Sequence, residues 1–149
     1  MKLKFVLPSN RIYAGFFTLT DNDGVLLMAG RALGKADNGR AAVEGNPLRY
    51  STLPYGDTPT GEYQPSAVII FDKPHRRVGR GWVPLKGRTG DALTAIKERR
   101  GLGIHAGRLD TDGRLVPTYG CVRISDRDFD QLTATTAGAI MDIEVTEED

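Results

Sequence analysis

The single cysteine of this sequence, Cys121, is the side chain best suited to covalent chemistry. A thiolate is a strong nucleophile, but a free cysteine with a pKa of about 8.5 is mostly protonated at neutral pH. Gly120 allows a close backbone approach beside it, and Arg123 favours a nearby negative charge. A lone cysteine is more often a small buried apolar residue. A catalytic interpretation therefore needs a partner base.

Two histidines are available as that base. His75 lies in a basic loop after a proline and is expected to be exposed. His105 lies among glycines and apolar residues, which is typical of a short buried strand that ends at a closely packed site. A cysteine nucleophile needs its base within hydrogen-bond reach. The sequence predicts a catalytic pair of Cys121 and His105 if the fold brings them together, and a satisfied core histidine if it does not.

Three segments, in chain order, resemble the catalytic domain of the L,D-transpeptidase family. They are DTPTGEY at residues 57–63, HAG at 105–107 and TYGCVRI at 118–124. The resemblance covers roughly residues 50–130. Tyr119 stands where most members have a histidine, and Ala106 stands where they have a glycine. The resemblance implies a mostly β fold, an L,D-transpeptidase-like β-sandwich with two short helices. We expect one such domain to span the whole chain, residues 1–149.

The same resemblance implies an enzyme that acts on peptidoglycan stem peptides without a metal or cofactor. In that family a cysteine attacks the diaminopimelate carbonyl, expels D-alanine and forms an acyl-enzyme. An amine or water then resolves it, giving L,D-transpeptidation, D-amino-acid exchange or L,D-carboxypeptidase hydrolysis. Here Cys121 would be the nucleophile, and His105 would take its proton and return it to the leaving amine. The Ala106 carbonyl would orient the imidazole, in place of a triad carboxylate.

Neighbouring residues receive supporting roles in this interpretation. The backbone N–H groups of Cys121 and Gly120, with help from Tyr119, would stabilise the oxyanion. Loss of one such donor typically costs about 3 kcal/mol of transition-state stabilisation. The candidate substrate-binding residues are Thr118 and Arg123. Arg123 would bind a substrate carboxylate or orient the loop.

The elements that must position these residues are mostly short strands between glycines and prolines. Strands are predicted at residues 2–7, 16–20, 25–29, 67–71, 82–85 and 140–145. The Asp-Gly pair at 23–24 predicts a hairpin turn. The apolar run 67–71 is expected to be a buried strand. The polar stretch 31–50 is interpreted as a long loop or a weak short helix.

Two helices are predicted. The first spans residues 91–100, with apolar Leu93 and Ile96, an acid in its first turn and basic residues at its end. The second opens at Ser125 as the N-terminal cap and has Gly138 as the candidate C-terminal cap. The second helix would begin just after the cysteine segment.

The charge balance limits the partners. With 20 Lys and Arg against 19 Asp and Glu, the net charge of +1 argues against nucleic-acid binding. One cysteine and two histidines exclude a disulfide within the chain and argue against a structural zinc site. No apolar run approaches the roughly 20 residues of a membrane span. One basic group is expected to be a solvated face or to steer a carboxylate-rich substrate. It consists of Arg76, Arg77, Arg80 and Arg88.

The site of action and two other functions stay open. Residues 1–10 do not resemble a secretory signal. An enzyme of this kind would act in the periplasm or cell wall, or on muropeptides in the cytoplasm. A specialised secretion system could deliver it as an antibacterial effector, with secretion machinery or an immunity protein as partner. Tyr119 motivates a catalytically silent module that binds stem peptides. Another small cysteine amidase fits the three segments less well.

Overall fold

Strands dominate the architecture. A computed structural model describes residues 1–107 and 112–149. The described residues form nine strands and three helices. The strands are β1 (Lys2–Pro8), β2 (Gly15–Thr20), β3 (Leu26–Ala32), β4 (Gly61–Ser66), β5 (Ile69–His75), β6 (Gly79–Pro84), β7 (Gly103–His105), β8 (Val122–Arg123) and β9 (Met141–Glu148). The helices are α1 (Asn38–Val43), α2 (Gly90–Ala95) and α3 (Asp126–Thr136). The prediction of a mostly β class is confirmed.

The larger sheet has five strands in the order β3-β2-β1-β9-β4. Its centre joins the two ends of the chain, because β1 pairs in parallel with β9. The hairpin of β2 and β3 turns through Asp21–Gly24, where Gly24 has a φ of 80° and donates its N–H to the Asp21 carbonyl at 3.1 Å. Alternate residues of β1, such as Leu3 and Phe5, are fully buried.

The smaller sheet has the order β5-β6-β7-β8 and carries the site. Strands β7 and β8 pair in parallel, with Ile104 opposite Val122 and His105 opposite Arg123. Ile104 and Val122 are fully buried and belong to the core. Because side chains alternate along a strand, His105 and Arg123 leave the sheet on the opposite face. Cys121, two positions before Arg123, lies on that same face.

The core joins both sheets to α3. Its buried members include Leu3, Phe5, Leu7, Phe17, Leu19, Tyr63, Val83, Ile104, Val122, Phe129, Leu132, Ile143 and Val145. One contiguous apolar cluster therefore supports the face of β7 and β8 that is opposite to the site. In the part of the chain that the structure describes, no helix has the length and apolarity needed to cross a membrane.

The predicted strands all overlap observed ones, but the run 67–71 is not buried. Ile69 and Ile70 are 49% and 54% exposed. The reason is position, since β5 is the edge strand of its sheet. Pro65 and Pro74 lie within the edge strands β4 and β5, where a missing backbone N–H costs little. Strand β4 was not predicted.

The first predicted helix is shorter than expected, and it buries a different face. Helix α2 ends at Ala95, and Leu93 is 51% exposed, while Ala92 and Ala95 are buried. A Cβ atom at Gly87 would overlap with the Ala92 carbonyl. Helix α2 therefore lies so close to neighbouring backbone that only small side chains fit on its buried side. The larger side chains of Leu93 and Ile96 do not fit there and stay exposed.

The second predicted helix is confirmed and a third one was missed. Ser125 caps α3, with its Oγ accepting from the Asp128 N–H at 3.0 Å. The left-handed cap is Ala137, with a φ of 46°, one residue before the predicted Gly138. Helix α1 lies in the stretch 31–50, for which the sequence predicted either a long loop or a short helix, and the short helix is confirmed. Asp37 caps it by accepting from the Arg40 N–H at 2.8 Å.

Candidate active site

Cys121 and His105 line one open cavity of about 840 Å³. The parallel pairing of β7 with β8 accounts for this, because it places both residues on the same face of adjacent chain segments. His75, expected to be exposed, is exposed and also lines the cavity. The fold thus brings the predicted pair to a common space that a ligand can enter.

His105 is held in one tautomer by its neighbour. Its Nδ1 lies 2.8 Å from the carbonyl oxygen of Ala106, the hydrogen bond expected from the sequence. A carbonyl can only accept, so we assign the proton to Nδ1, which leaves the Nε2 lone pair free to accept one. The side chain is buried, and burial lowers its pKa to about 4. The Ala106 hydrogen bond opposes this shift and the Arg123 charge adds to it.

Cys121 carries a neutral thiol at rest. Burial raises its pKa, and a backbone hydrogen bond from Gly103 and the charges of Arg99 and Arg123 only partly oppose that shift. The thiol donates to the Gly101 carbonyl, with Sγ and oxygen 3.6 Å apart. The resting pair is therefore thiol and imidazole. An ion pair of thiolate and imidazolium would have to form when a substrate arrives.

Arg123 holds the backbone around the histidine. It is buried, and its Nη1 donates to the Ala106 carbonyl at 2.6 Å and to the Arg77 carbonyl at 3.1 Å. Its Nε donates to the Val116 carbonyl at 2.9 Å. The carbonyl that orients His105 is thus itself fixed by Arg123. Of the two roles expected for this arginine, these contacts favour orienting the loop.

The turn before the cysteine is fixed by two threonines. Thr118 Oγ1 donates to the Cys121 carbonyl at 2.8 Å and accepts from the Gly120 N–H at 3.0 Å. Thr58 Oγ1, from the DTPTGEY segment, donates to the Gly120 carbonyl at 2.8 Å. The Gly120 N–H is therefore engaged within the turn. None of the described hydrogen bonds of this turn uses the Cys121 N–H, so of the two predicted oxyanion donors it is the one that the turn does not engage.

Arg99 is a site residue that sequence reasoning missed. Its guanidinium is buried and donates to the carbonyls of Ser51 and Asp57 at 2.7 and 2.8 Å through Nη1. Nη2 donates to Gly56 at 2.9 Å and to Tyr119 at 3.4 Å. It joins the loop before β4 to the cysteine turn. Its sequence signal was weak, since it stood only among the basic residues at the end of a predicted helix.

Tyr119 lies at the mouth of the cavity. It is 46% exposed, and its hydroxyl accepts from Nη1 of Arg77 at 3.0 Å. Its ring packs edge-on against Tyr55, with centroids 5.7 Å apart. The phenol is therefore positioned by side chains outside the catalytic pair.

Comparisons with protein families and with curated proteins found no relative of this chain. No model of a known protein family matches the chain, and no curated protein matches it either. Within the described residues, no cluster of three or more histidine, cysteine or acidic side chains could hold a metal ion.

Because His105 is buried with a lowered pKa, we expect the free energy of unfolding to depend on pH. Between about pH 6.5 and 4 the unfolded chain binds a proton at this residue and the folded protein does not, so acid favours unfolding. Between pH 7.5 and 4.5 the wild type should lose about 2 to 3 kcal/mol more unfolding free energy than His105→Asn. Urea denaturation at both pH values measures this. His75→Asn, a change at the exposed histidine, should retain most of the wild-type loss, because the His75 charge makes only the smallest contribution to the lowered pKa of His105. An equal loss in all three proteins would contradict the prediction.

Proposed function

We propose that this protein is a cysteine acyltransferase of the L,D-transpeptidase type. It would attack the diaminopimelate–D-alanine bond of stem tetrapeptides and form an acyl-enzyme on Cys121. The observation that carries the proposal is the shared cavity of Cys121 and an oriented His105. The mostly β fold is consistent with an L,D-transpeptidase-like β-sandwich, which belongs to the same proposal.

The mechanism follows from the neutral resting pair. As Cys121 Sγ attacks the carbonyl, its proton passes to Nε2 of His105. The Cys121 N–H would donate a hydrogen bond to the developing oxyanion. Collapse of the tetrahedral intermediate breaks the C–N bond, and the imidazolium returns the proton to the leaving amine of D-alanine. The burial that lowers the pKa of His105 makes its imidazolium a stronger acid than an exposed one, which favours this second step.

An acceptor then resolves the acyl-enzyme. Attack by water gives L,D-carboxypeptidase hydrolysis, and attack by an amine gives a cross-link or an exchanged D-amino acid. His105 would remove the proton of either acceptor. The substrate would be met in the periplasm or cell wall, with delivery as an antibacterial effector as one route; secretion machinery or an immunity protein would then be a partner.

Mass spectrometry of tetrapeptide muropeptides tests the proposal. We expect loss of one D-alanine in buffer and its exchange when an excess of another D-amino acid is added. Intact-protein spectra should show the acyl adduct, which digestion should locate on Cys121. Unchanged muropeptides with no adduct would contradict the proposal.

A silent binding module is the second candidate, and one observation favours it. The raised pKa of the Cys121 thiol means that no thiolate is prepared in the free protein. Rapid alkylation at low pH, the usual sign of a prepared thiolate, therefore would not distinguish the two functions here. Binding of the tetrapeptide without its consumption would identify the module. Cleavage of intact peptidoglycan at a different bond would instead identify another amidase.

A further inference from the structure

Two arginines converge on one exposed tyrosine at the mouth of the cavity. Guanidinium carbons of Arg40 and Arg77 each lie 5.7 Å from the centroid of the Tyr119 ring. Arg40 also lies 4.8 Å from the centroid of Tyr55 and donates to its hydroxyl at 3.2 Å. We call Arg40, Tyr55, Arg77 and Tyr119 the rim. Cation–π contacts and hydrogen bonds hold its charges in place.

The two arginines differ in their charge partners. Arg40 forms an ion pair with Glu44 at 2.9 Å. For Arg77, the structure shows no carboxylate partner among the described residues, and its Nη1 is held by the Tyr119 hydroxyl. The lining of the cavity is also cationic. It contains Arg77, Lys97, Arg99, Arg100 and Arg123 against Asp37 and Glu98. Such a wall attracts anions.

We propose that the rim binds a free carboxylate of the peptide ligand, with Arg77 as the main contact. Among the described residues, only one guanidinium N–H of Arg77 is engaged, by Tyr119, and arginine matches the planar carboxylate group. The Tyr119 hydroxyl accepts from Arg77, so its own proton can point to the same carboxylate. Tyr119, which departs from the family pattern, thereby gains a role in substrate selection.

The location of this site relies on the proposed function, but binding can be measured without turnover. A stem tetrapeptide has three free carboxylates that could reach the rim: the glutamyl α-carboxylate, the second carboxylate of diaminopimelate and the C-terminal one. We would use Cys121→Ala as background, so that no peptide is consumed. Isothermal titration calorimetry would compare the free tetrapeptide with versions amidated at each of the three carboxylates in turn.

Amidation of one carboxylate should raise Kd about tenfold, the value of one charge-assisted hydrogen bond. Arg77→Gln should raise Kd for the free peptide by a similar factor and remove the effect of that amidation. The matched control is Arg76→Gln, an exposed neighbour on the same hairpin that does not line the cavity, and it should leave Kd unchanged. The amidation whose effect on Kd disappears in Arg77→Gln identifies the carboxylate that Arg77 binds.

The outcomes separate this inference from the proposed function. Peptide binding that is insensitive to all three amidations and to Arg77→Gln would overturn the rim and leave the enzyme proposal standing. Rim-dependent binding with no consumption by the wild type would support the rim and overturn catalysis. Absence of binding by every peptide would overturn the rim in its stated form.

Discussion

Cys121→Ser should lower the rate of D-alanine release at least about thousandfold while the fold persists. Serine is nearly isosteric, so its hydroxyl can still donate to the Gly101 carbonyl as the thiol does. Its pKa is far above that of a thiol, and a buried His105 with a pKa of about 4 is too weak a base to remove that proton. Single-turnover assays by mass spectrometry measure the rate, and thermal unfolding checks the fold.

His105→Asn supplies the companion measurement. Without an imidazole, Cys121 can attack only after its thiol ionises in water, so the residual rate should rise about tenfold per pH unit below the raised pKa of that thiol. The matched control is His75→Asn, because His75 lines the same cavity from an exposed hairpin. Equal rates in wild type and Cys121→Ser would exclude the cysteine as nucleophile.

Sequence reasoning succeeded where the signal was local. The cap at Ser125 and the turn at Gly24 depend on neighbouring residues, whose chemistry can be seen in the chain itself. The burial of His105 followed in the same way from its apolar neighbours. Features that nearby residues in the chain determine were therefore predictable without a structure.

Features that depend on distant contacts were not predictable. The parallel pairing of β1 with β9 joins the ends of the chain, and no short pattern encodes it. The burial of Ala92 in place of Leu93 depends on how closely other backbone approaches α2. Arg99 donates to four backbone carbonyls. Because every residue has a carbonyl, the sequence does not indicate which residues Arg99 binds.

That carbonyl network explains why Gly120 should tolerate no side chain. Gly120 has a φ of 118°, which disfavours other residues, and a Cβ atom there would overlap with Nη2 of Arg99 and lie 2.6 Å from the Gly56 carbonyl. Arg99 cannot move aside without breaking its own hydrogen bonds. Gly120→Ala should therefore lower the unfolding free energy by about 3 to 5 kcal/mol, combining backbone strain with unsatisfied buried donors.

Gly24→Ala separates the two causes of this loss. Gly24 has a φ of 80°, but no atom lies within 4 Å of the added Cβ. Its substitution carries the conformational cost alone, about 1 to 2 kcal/mol. Urea denaturation of both variants measures the difference, and similar losses would show that Arg99 does not constrain the turn. A larger loss for Gly120→Ala would indicate that the buried Arg99 guanidinium, distant from Gly120 in the chain but adjacent to it in space, sets the position of the backbone beside Cys121.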